Sequence, residues 1–345
     1  MAFTTNHGKE MPSSDVNHVL RTRQRVIPVA AAVALAGSAY MMGAHSAPAA
    51  HRVVVHQART AELPAAAAQP SPAMEATLAK APPLSIKPTF AATGTDKLPR
   101  HGYHRFYDVF LQPLYGKAVR MVEIGVQGGA SLSTWQTVFD AKRSAIYGIS
   151  WPETEQVKSA LDPNVQVLFR DQSNCTHLDD IAATVGAQPL DLVIDDGSHH
   201  PEHMMKTLVK LFPRVAPGGL YVIEDVETNY WDGPGAVIYG YGLQGVGVGR
   251  RGSIMESLKL LVDVINHRYA VKDFKPGFHV IDAGVDPDVA WIAFAQNMVI
   301  IRKKDAEDPA YEVPISNQAD GSAWKAFWES ADVRGVLGQV GAWKC

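Results

Sequence analysis

Five short aliphatic runs recur in the second part of the chain, each leading into polar or glycine-rich sequence. They are RMVEIGV (Arg120–Val126), AIYGIS (Ala145–Ser150), VQVLF (Val165–Phe169), LDLVID (Leu190–Asp195) and GLYVIE (Gly219–Glu224). Runs this short and this apolar suit strands buried on both faces. Between them, SLSTWQTVFDA and EHMMKTLVKLFPRV space their apolar residues three and four apart, the period of a helix with one buried side. Strands alternating with helices predict an α/β fold, a parallel sheet covered on both faces. Near the end, VAWIAFAQ and NMVIIRKK are separated by almost nothing, which predicts an antiparallel hairpin closing the sheet. In SIMESLKLLVDVINHRY the stripe Leu258, Leu261, Val262 and Ile265 reads as core.

The first part of the chain has no such pattern. Met1 to Arg25 is polar and ends in RTRQR, and Val26 to Ala44 carries no charge. That uncharged run is close to the ~20 residues that span hydrocarbon, and the arginines before it predict a cytosolic amino terminus. His45 to Leu98 is rich in alanine and proline and sustains no apolar period. The expected organisation is a cytosolic tail (1–25), a signal anchor (26–44), a flexible stem (45–98) and a catalytic domain (99–345). A cleaved secretory signal and an organelle transit peptide are the alternatives for the uncharged run.

Composition adds mainly exclusions. The 345 residues are 46% hydrophobic and 19% charged, enough for a sizeable core. A formal net charge of -3 gives no electrostatic case for nucleic acid. Two cysteines, Cys175 and Cys345, exclude a disulfide framework and a cysteine-rich zinc site; one disulfide between them is the single pairing available.

The chemistry gathers where the strands end. The first strand runs into EIGVQGGASL, whose glycines let the chain turn sharply and let a ligand approach the backbone. RDQSN follows the third strand, LDLVIDDGSHH contains the fourth, and PGGLYVIEDVETNYW contains the fifth. Together, over about Gly102 to Lys304, these segments resemble class I S-adenosylmethionine-dependent methyltransferases. They are most similar to the metal-dependent macrolide-sugar O-methyltransferases of the mycinamicin type. The resemblance implies a Rossmann-like sheet of seven strands, mainly parallel, with one antiparallel strand. It implies cofactor contacts from Glu123, Gly125 and Gly129 to the amino-acid part and from Asp171 and Gln172 to the adenosine, with Asp195 beside them. The second strand of the family ordinarily ends in an acidic residue for the ribose, whereas Ser150 stands here and offers only a neutral hydrogen bond.

Asp196 at the exit of the fourth strand and Glu224 and Asp225 at the exit of the fifth fall at one rim of a parallel sheet, where ligands of open α/β sheets bind. The resemblance assigns divalent-metal ligation, Mg²⁺ first and Mn²⁺ second, to Asp196, Glu224 and Asp225, and the general base to His199. Hard oxygen donors suit such an ion, and an imidazole can take a hydroxyl proton near neutral pH. The plainer alternatives are a strand-end role for Asp195, a turn role for Asp171, a helix N-cap for Asp225 and a solvated helix start for His200 and His203. The glycine-rich stretch Gly233–Ser253 is long enough for a lid. Tyr230, Trp231, Tyr239 and Tyr241 are read either as a platform for a sugar or as core.

The resulting expectation is an S-adenosylmethionine- and metal-dependent O-methyltransferase acting on a sugar hydroxyl. The acceptor would be a hexose such as galactose in a glycan, glycoside or nucleotide sugar. The anchor and stem place the enzyme in the Golgi membrane with its catalytic domain in the lumen, with a secreted or organellar protein as the alternative. An O-methyltransferase of a phenol or polyketide and a non-catalytic cofactor-binding scaffold are the rival functions. Assembly as a homo-oligomer is left open.

Overall fold

The computed structural model describes residues 84–152, 165–270, 279–281, 286–308 and 322–345. The expected tail, the anchor and most of the stem lie outside the described residues. The last part of the stem is corrected: α1 (Lys87–Thr93) is a helix whose Phe90 is fully buried. Pro88 sits in its first turn and Gly94 closes it at φ 72, so this proline starts a helix. A second short helix, α2 (His104–Phe110), follows. Phe90, Tyr107 and Trp135 then pack edge to face, with ring centroids 5.3 to 6.0 Å apart.

The sheet follows the apolar runs closely. Its strands are β1 (Arg120–Ile124), β2 (Ala145–Ser150), β3 (Val165–Phe169), β4 (Leu190–Asp195), β5 (Val215–Glu224), β8 (Val289–Ala295) and β9 (Met298–Lys303). The spatial order is β3-β2-β1-β4-β5-β9-β8. The first five pair in parallel, and β9 lies antiparallel between β5 and β8. A two-stranded ribbon, β6 (Val237–Ile238) with β7 (Tyr241–Gly242), lies within the glycine-rich stretch. Between the strands run α3 (Ala130–Val138), α4 (Cys175–Thr184), α5 (Pro201–Leu211) and α6 (Ile254–Ala270); α7 (Ser322–Trp328) and α8 (Ala331–Trp343) follow the sheet.

Strand side chains alternate between two cores. Leu192, Ile194, Leu220 and Val222 join the layer of α1 to α3. Val193, Tyr221 and Ile223 join the layer of α4, α5, α6 and α8. In α6, Leu258 and Leu261 are fully buried and Ile265 packs against them, but Val262 is 40% exposed and leaves the predicted stripe. A disulfide joins Cys175, at the start of α4, to Cys345, with their Cα atoms 5.5 Å apart.

Candidate active site

The period of two along a strand sorts the acidic residues at the rim. On β1, Glu123 shares the face of Met121; on β5, Glu224 shares the face of Val222. Asp195 pairs with Ile223, so Asp196, one residue beyond, returns to the face of Glu224. Glu123, Asp196 and Glu224 therefore face the α1–α3 layer, and Asp195 faces the other. Two adjacent aspartates have opposite environments.

Asp195 is 1% exposed and bound by Gln172 Nε2 at 2.7 and 2.9 Å, with the Tyr221 hydroxyl at 3.5 Å. Burial pushes its carboxyl up to about 7, against the pull of Gln172. Gln172 also donates to Thr207 Oγ1 at 3.0 Å and accepts from the Ser198 amide at 2.9 Å. The side chains of Asp195 and Gln172, for which cofactor contacts are expected, are engaged with each other and with Thr207 and Ser198. They brace the turn that carries Asp196 to His199. Asp171 accepts from the Ser173 amide at 2.8 Å, the turn role foreseen for it, and its own amide donates to His177 Nδ1. Ser150 is buried at the end of β2.

The glycine turn approaches the same place. Gly125 has φ 91, and a Cβ there would lie 1.9 Å from the Asp196 carbonyl oxygen. Only glycine allows β1 and β4 to leave the sheet this close together. Gly129 caps α3 at φ 84, and Ser131 donates to Glu123 Oε2 at 2.8 Å.

On the α1–α3 face, Lys97 lies within the acidic cluster. Its Nζ is 2.5 Å from Asp196 Oδ2, 2.6 Å from Glu224 Oε2 and 3.5 Å from Glu123 Oε1, and the residue is 1% exposed. Burial alone pushes this ammonium down, but Asp196, Glu224 and Glu123 outweigh it and hold it well above the usual lysine range. Tyr107 donates its hydroxyl to the other oxygen of Glu224. Glu224 thus has both oxygens occupied, which the sequence-based assignment to a metal did not anticipate.

Asp225 has φ 52 and makes no helix cap, so the N-cap alternative fails. Its Oδ1 accepts from Tyr103 at 2.5 Å and from Asn297 Nδ2 at 3.0 Å, and His101 Nδ1 lies 3.2 Å away. Its Oδ2 is 3.5 Å from His199 Nε2. His199 sits at φ 54, its carbonyl held by the Thr228 hydroxyl at 2.5 Å. Its Nδ1 is buried with no hydrogen-bond partner among the described residues. Asp196, His199 and Asp225 offer one donor atom each within 4.8 Å of one another. The donor set, two carboxylates and an imidazole, fits a divalent ion chemically.

Lys97, His101, Tyr103, Tyr107 and Asn297 are the site residues that sequence reasoning missed. His200 and His203 also differ from the solvated helix start foreseen for them. His203 is 5% exposed, its Nδ1 is 2.8 Å from Ser198 Oγ, and burial lowers its imidazole to about 4. Beside it a cavity of about 990 Å³ is lined by His200, Tyr241, Arg250, Arg251 and Trp343 among others. Tyr230 and Trp231 before the loop and Tyr239 within it are exposed rather than core, and Tyr239 lies 5.7 Å from the His199 ring.

A family model described as a methyltransferase domain matches residues 122–226, which hold the glycine turn and the acidic rim. Among solved structures, the fold is similar to the MycE methyltransferase of the mycinamycin biosynthetic pathway in complex with Mg and SAH. The TM-score is 0.56 at 28% identity, covering 71% of this chain and 61% of that one. Residues 122–226 are thus a methyltransferase domain, in a fold of the class I S-adenosylmethionine-dependent type. The methyltransferase domain is 33% identical over 219 residues to the 8-demethyl-8-α-L-rhamnosyl tetracenomycin-C 2'-O-methyltransferase of Streptomyces olivaceus, covering 61% of this chain and 52% of that one. It is 33% identical over 212 residues to the mycinamicin VI 2''-O-methyltransferase of Micromonospora griseorubida, covering 59% and 48%. The chain spans about half the length of the curated relatives it matches.

These relatives overturn the Golgi placement: they are bacterial O-methyltransferases, from lineages that build no Golgi stack. The anchor on which it rested lies outside the described residues, and no helix among the described residues is long and apolar enough to cross a membrane.

Proposed function

We propose that this domain transfers a methyl group from S-adenosylmethionine to a sugar hydroxyl of a glycoside, assisted by a divalent cation, Mg²⁺ before Mn²⁺. The observation that carries the reading is the convergence of Asp196, His199 and Asp225 donors within 4.8 Å at the carboxyl rim, beside Gly125. Relatives named as sugar O-methyltransferases, and a similar structure holding Mg and SAH, support it.

The chemistry asks little covalent help of the protein. The acceptor oxygen must lie in line with the sulfonium methyl, and its proton must leave. His199 Nε2 takes that proton, which then lies against Asp225 Oδ2, 3.5 Å away. Asp196 and Asp225 would hold the cation, with Glu224 as third carboxylate where Lys97 gives up the Glu224 Oε2, and the bound ion would stabilise negative charge developing on the hydroxyl oxygen. Tyr103, Asn297 and His101 fix Asp225 from its other oxygen. Glu123, Gly125 and Gly129 serve the amino-acid end of the cofactor, and Ser150 and Asp171 its nucleoside. Tyr239, and Tyr241 at the wall of the adjoining cavity, face the sugar and the rest of the glycoside.

The test is methyl transfer by purified protein to a panel of glycosides and free hexoses, galactose included, read by mass spectrometry. Absence of product throughout, or undiminished product after chelation, refutes the reading.

A second reading takes the same three donors literally: His199 is a metal ligand, and Glu224 is not. The closeness of Lys97 and Tyr107 to Glu224 favours it. Mn²⁺ titration of His199→Ala separates the two, since a base can be lost with metal affinity intact and a ligand cannot.

A further inference from the structure

Lys97 occupies oxygens that a metal would use. Its Nζ contacts Asp196 Oδ2 at 2.5 Å and Glu224 Oε2 at 2.6 Å, with Glu123 Oε1 at 3.5 Å, inside a pocket that leaves the residue 1% exposed. Tyr107 takes the second oxygen of Glu224. Tyr103 and Asn297 take Asp225 Oδ1, so of the six oxygens on Asp196, Glu224 and Asp225 the two outside these bonds are Asp196 Oδ1 and Asp225 Oδ2, and Asp225 Oδ2 faces His199. An ammonium on a flexible four-carbon stem is a point charge with three donors, so it satisfies carboxylates much as a small cation does.

We propose that Lys97 is an intramolecular competitor for the divalent cation, a tethered positive charge that holds Asp196 and Glu224 together and sets how tightly this centre binds metal. The proposal rests on the metal-dependent reading above. Two effects act in the same direction. The ammonium withholds two carboxylate oxygens from the ion, and it repels the ion across a buried, weakly screened distance. Removing the charge leaves Glu123, Asp196 and Glu224 without a buried cation beside them, so a divalent ion becomes the partner that restores balance. A lysine that merely braced the ligands would act the other way, because its loss would scatter them and weaken the metal.

The experiment is isothermal titration of Mn²⁺ into the metal-free full chain, wild type against Lys97→Met, with thermal unfolding recorded with and without Mn²⁺. The expected result is at least tenfold tighter Mn²⁺ binding by the variant. Its unfolding temperature should be lower without metal, and its gain on adding metal larger than in the wild type. Lys97→Gln, which retains N–H donors without the charge, carries the test if Lys97→Met does not fold. Equal or weaker Mn²⁺ affinity in a folded variant overturns the proposal while leaving the metal-dependent reading intact. No Mn²⁺ binding by any of the proteins overturns both.

Discussion

Replacing Gly125 by alanine tests whether the glycine turn and the acidic rim are one piece of structure. The new Cβ would stand 1.9 Å from the carbonyl oxygen of Asp196, 2.6 Å from its carbonyl carbon and 2.9 Å from Gly197 Cα. All three are backbone atoms, so no side-chain rotation relieves the overlap. The residue also sits at φ 91, where a Cβ costs roughly 1–2 kcal/mol. Overpacking a well-filled site adds about 1–3 kcal/mol. The expected loss is therefore about 2–5 kcal/mol, measured by urea unfolding. Because the atom that must yield belongs to Asp196, Mn²⁺ affinity should fall at least tenfold in protein that remains folded. Gly148→Ala is the control. Its Cβ would meet Leu132 Cδ1 at 2.7 Å and Val126 Cγ2 at 2.8 Å, both side-chain ends that can move, so a smaller loss and unchanged metal affinity are expected. The reasoning fails if Gly125→Ala unfolds within about 0.5 kcal/mol of the wild type, the spread of ordinary surface substitutions, and binds Mn²⁺ equally well.

Two further outcomes follow from groups outside the acidic centre. His203 titrates near 4 in the folded protein against an ordinary value of 6.5, so between these values the unfolded chain binds a proton that the folded one does not. The neutral ring's contribution is complete above pH 6.5 and is lost as pH falls toward 4, by up to ~3 kcal/mol. Urea unfolding at pH 7 and pH 4.5 should show a smaller acid loss in His203→Gln than in the wild type, and equal losses would refute the assignment. The Cys175–Cys345 disulfide joins residues 170 positions apart. Cys345→Ser should lower stability by roughly 2–5 kcal/mol in oxidising buffer and by nothing in strong reductant, where both proteins lack the bond.

The sheet was legible because its signal is local. Each strand is a run of aliphatic residues, and the short separation of VAWIAFAQ from NMVIIRKK permitted only a hairpin. The pleat also carried more than the sequence reading took from it: with Ile194 on one face, Asp195 and Asp196 must diverge, so one of the pair had to be buried beneath the rim. Gln172 was harder. RDQSN looks like an exposed loop until β3 and β4 bring its amide onto Asp195 and Ser198. His203 was misread because the start of a helix is ordinarily wet, whereas here the rings of His200 and Tyr241 lie 4.5 and 4.7 Å from its own.

Lys97 was illegible for a different reason. The stretch KLPRHGYHRFYD has the charges, proline and glycine of a linker, and nothing in its own spacing says that it folds onto three carboxylates contributed by β1, β4 and β5. Yet the acidic rim cannot be understood without it. Glu123 and Glu224 are essentially inaccessible to water, and isolated buried carboxylates cost several kcal/mol each unless they are paired. The strands create that cost because their pleat aims Glu123, Asp196 and Glu224 at one point. The segment before and within α2 meets it, with Lys97 on that cluster, Tyr107 on Glu224, and Tyr103 and His101 on Asp225. Lys97, assigned to the stem, thus belongs to the site, and a boundary at residue 99 separates the acidic centre from its principal counter-charge. The same placement explains why Asp196 and Asp225 each keep an oxygen outside these bonds while Glu224 does not: of the three hydrogen bonds that Lys97 and Tyr107 donate to the inner cluster, two fall on Glu224.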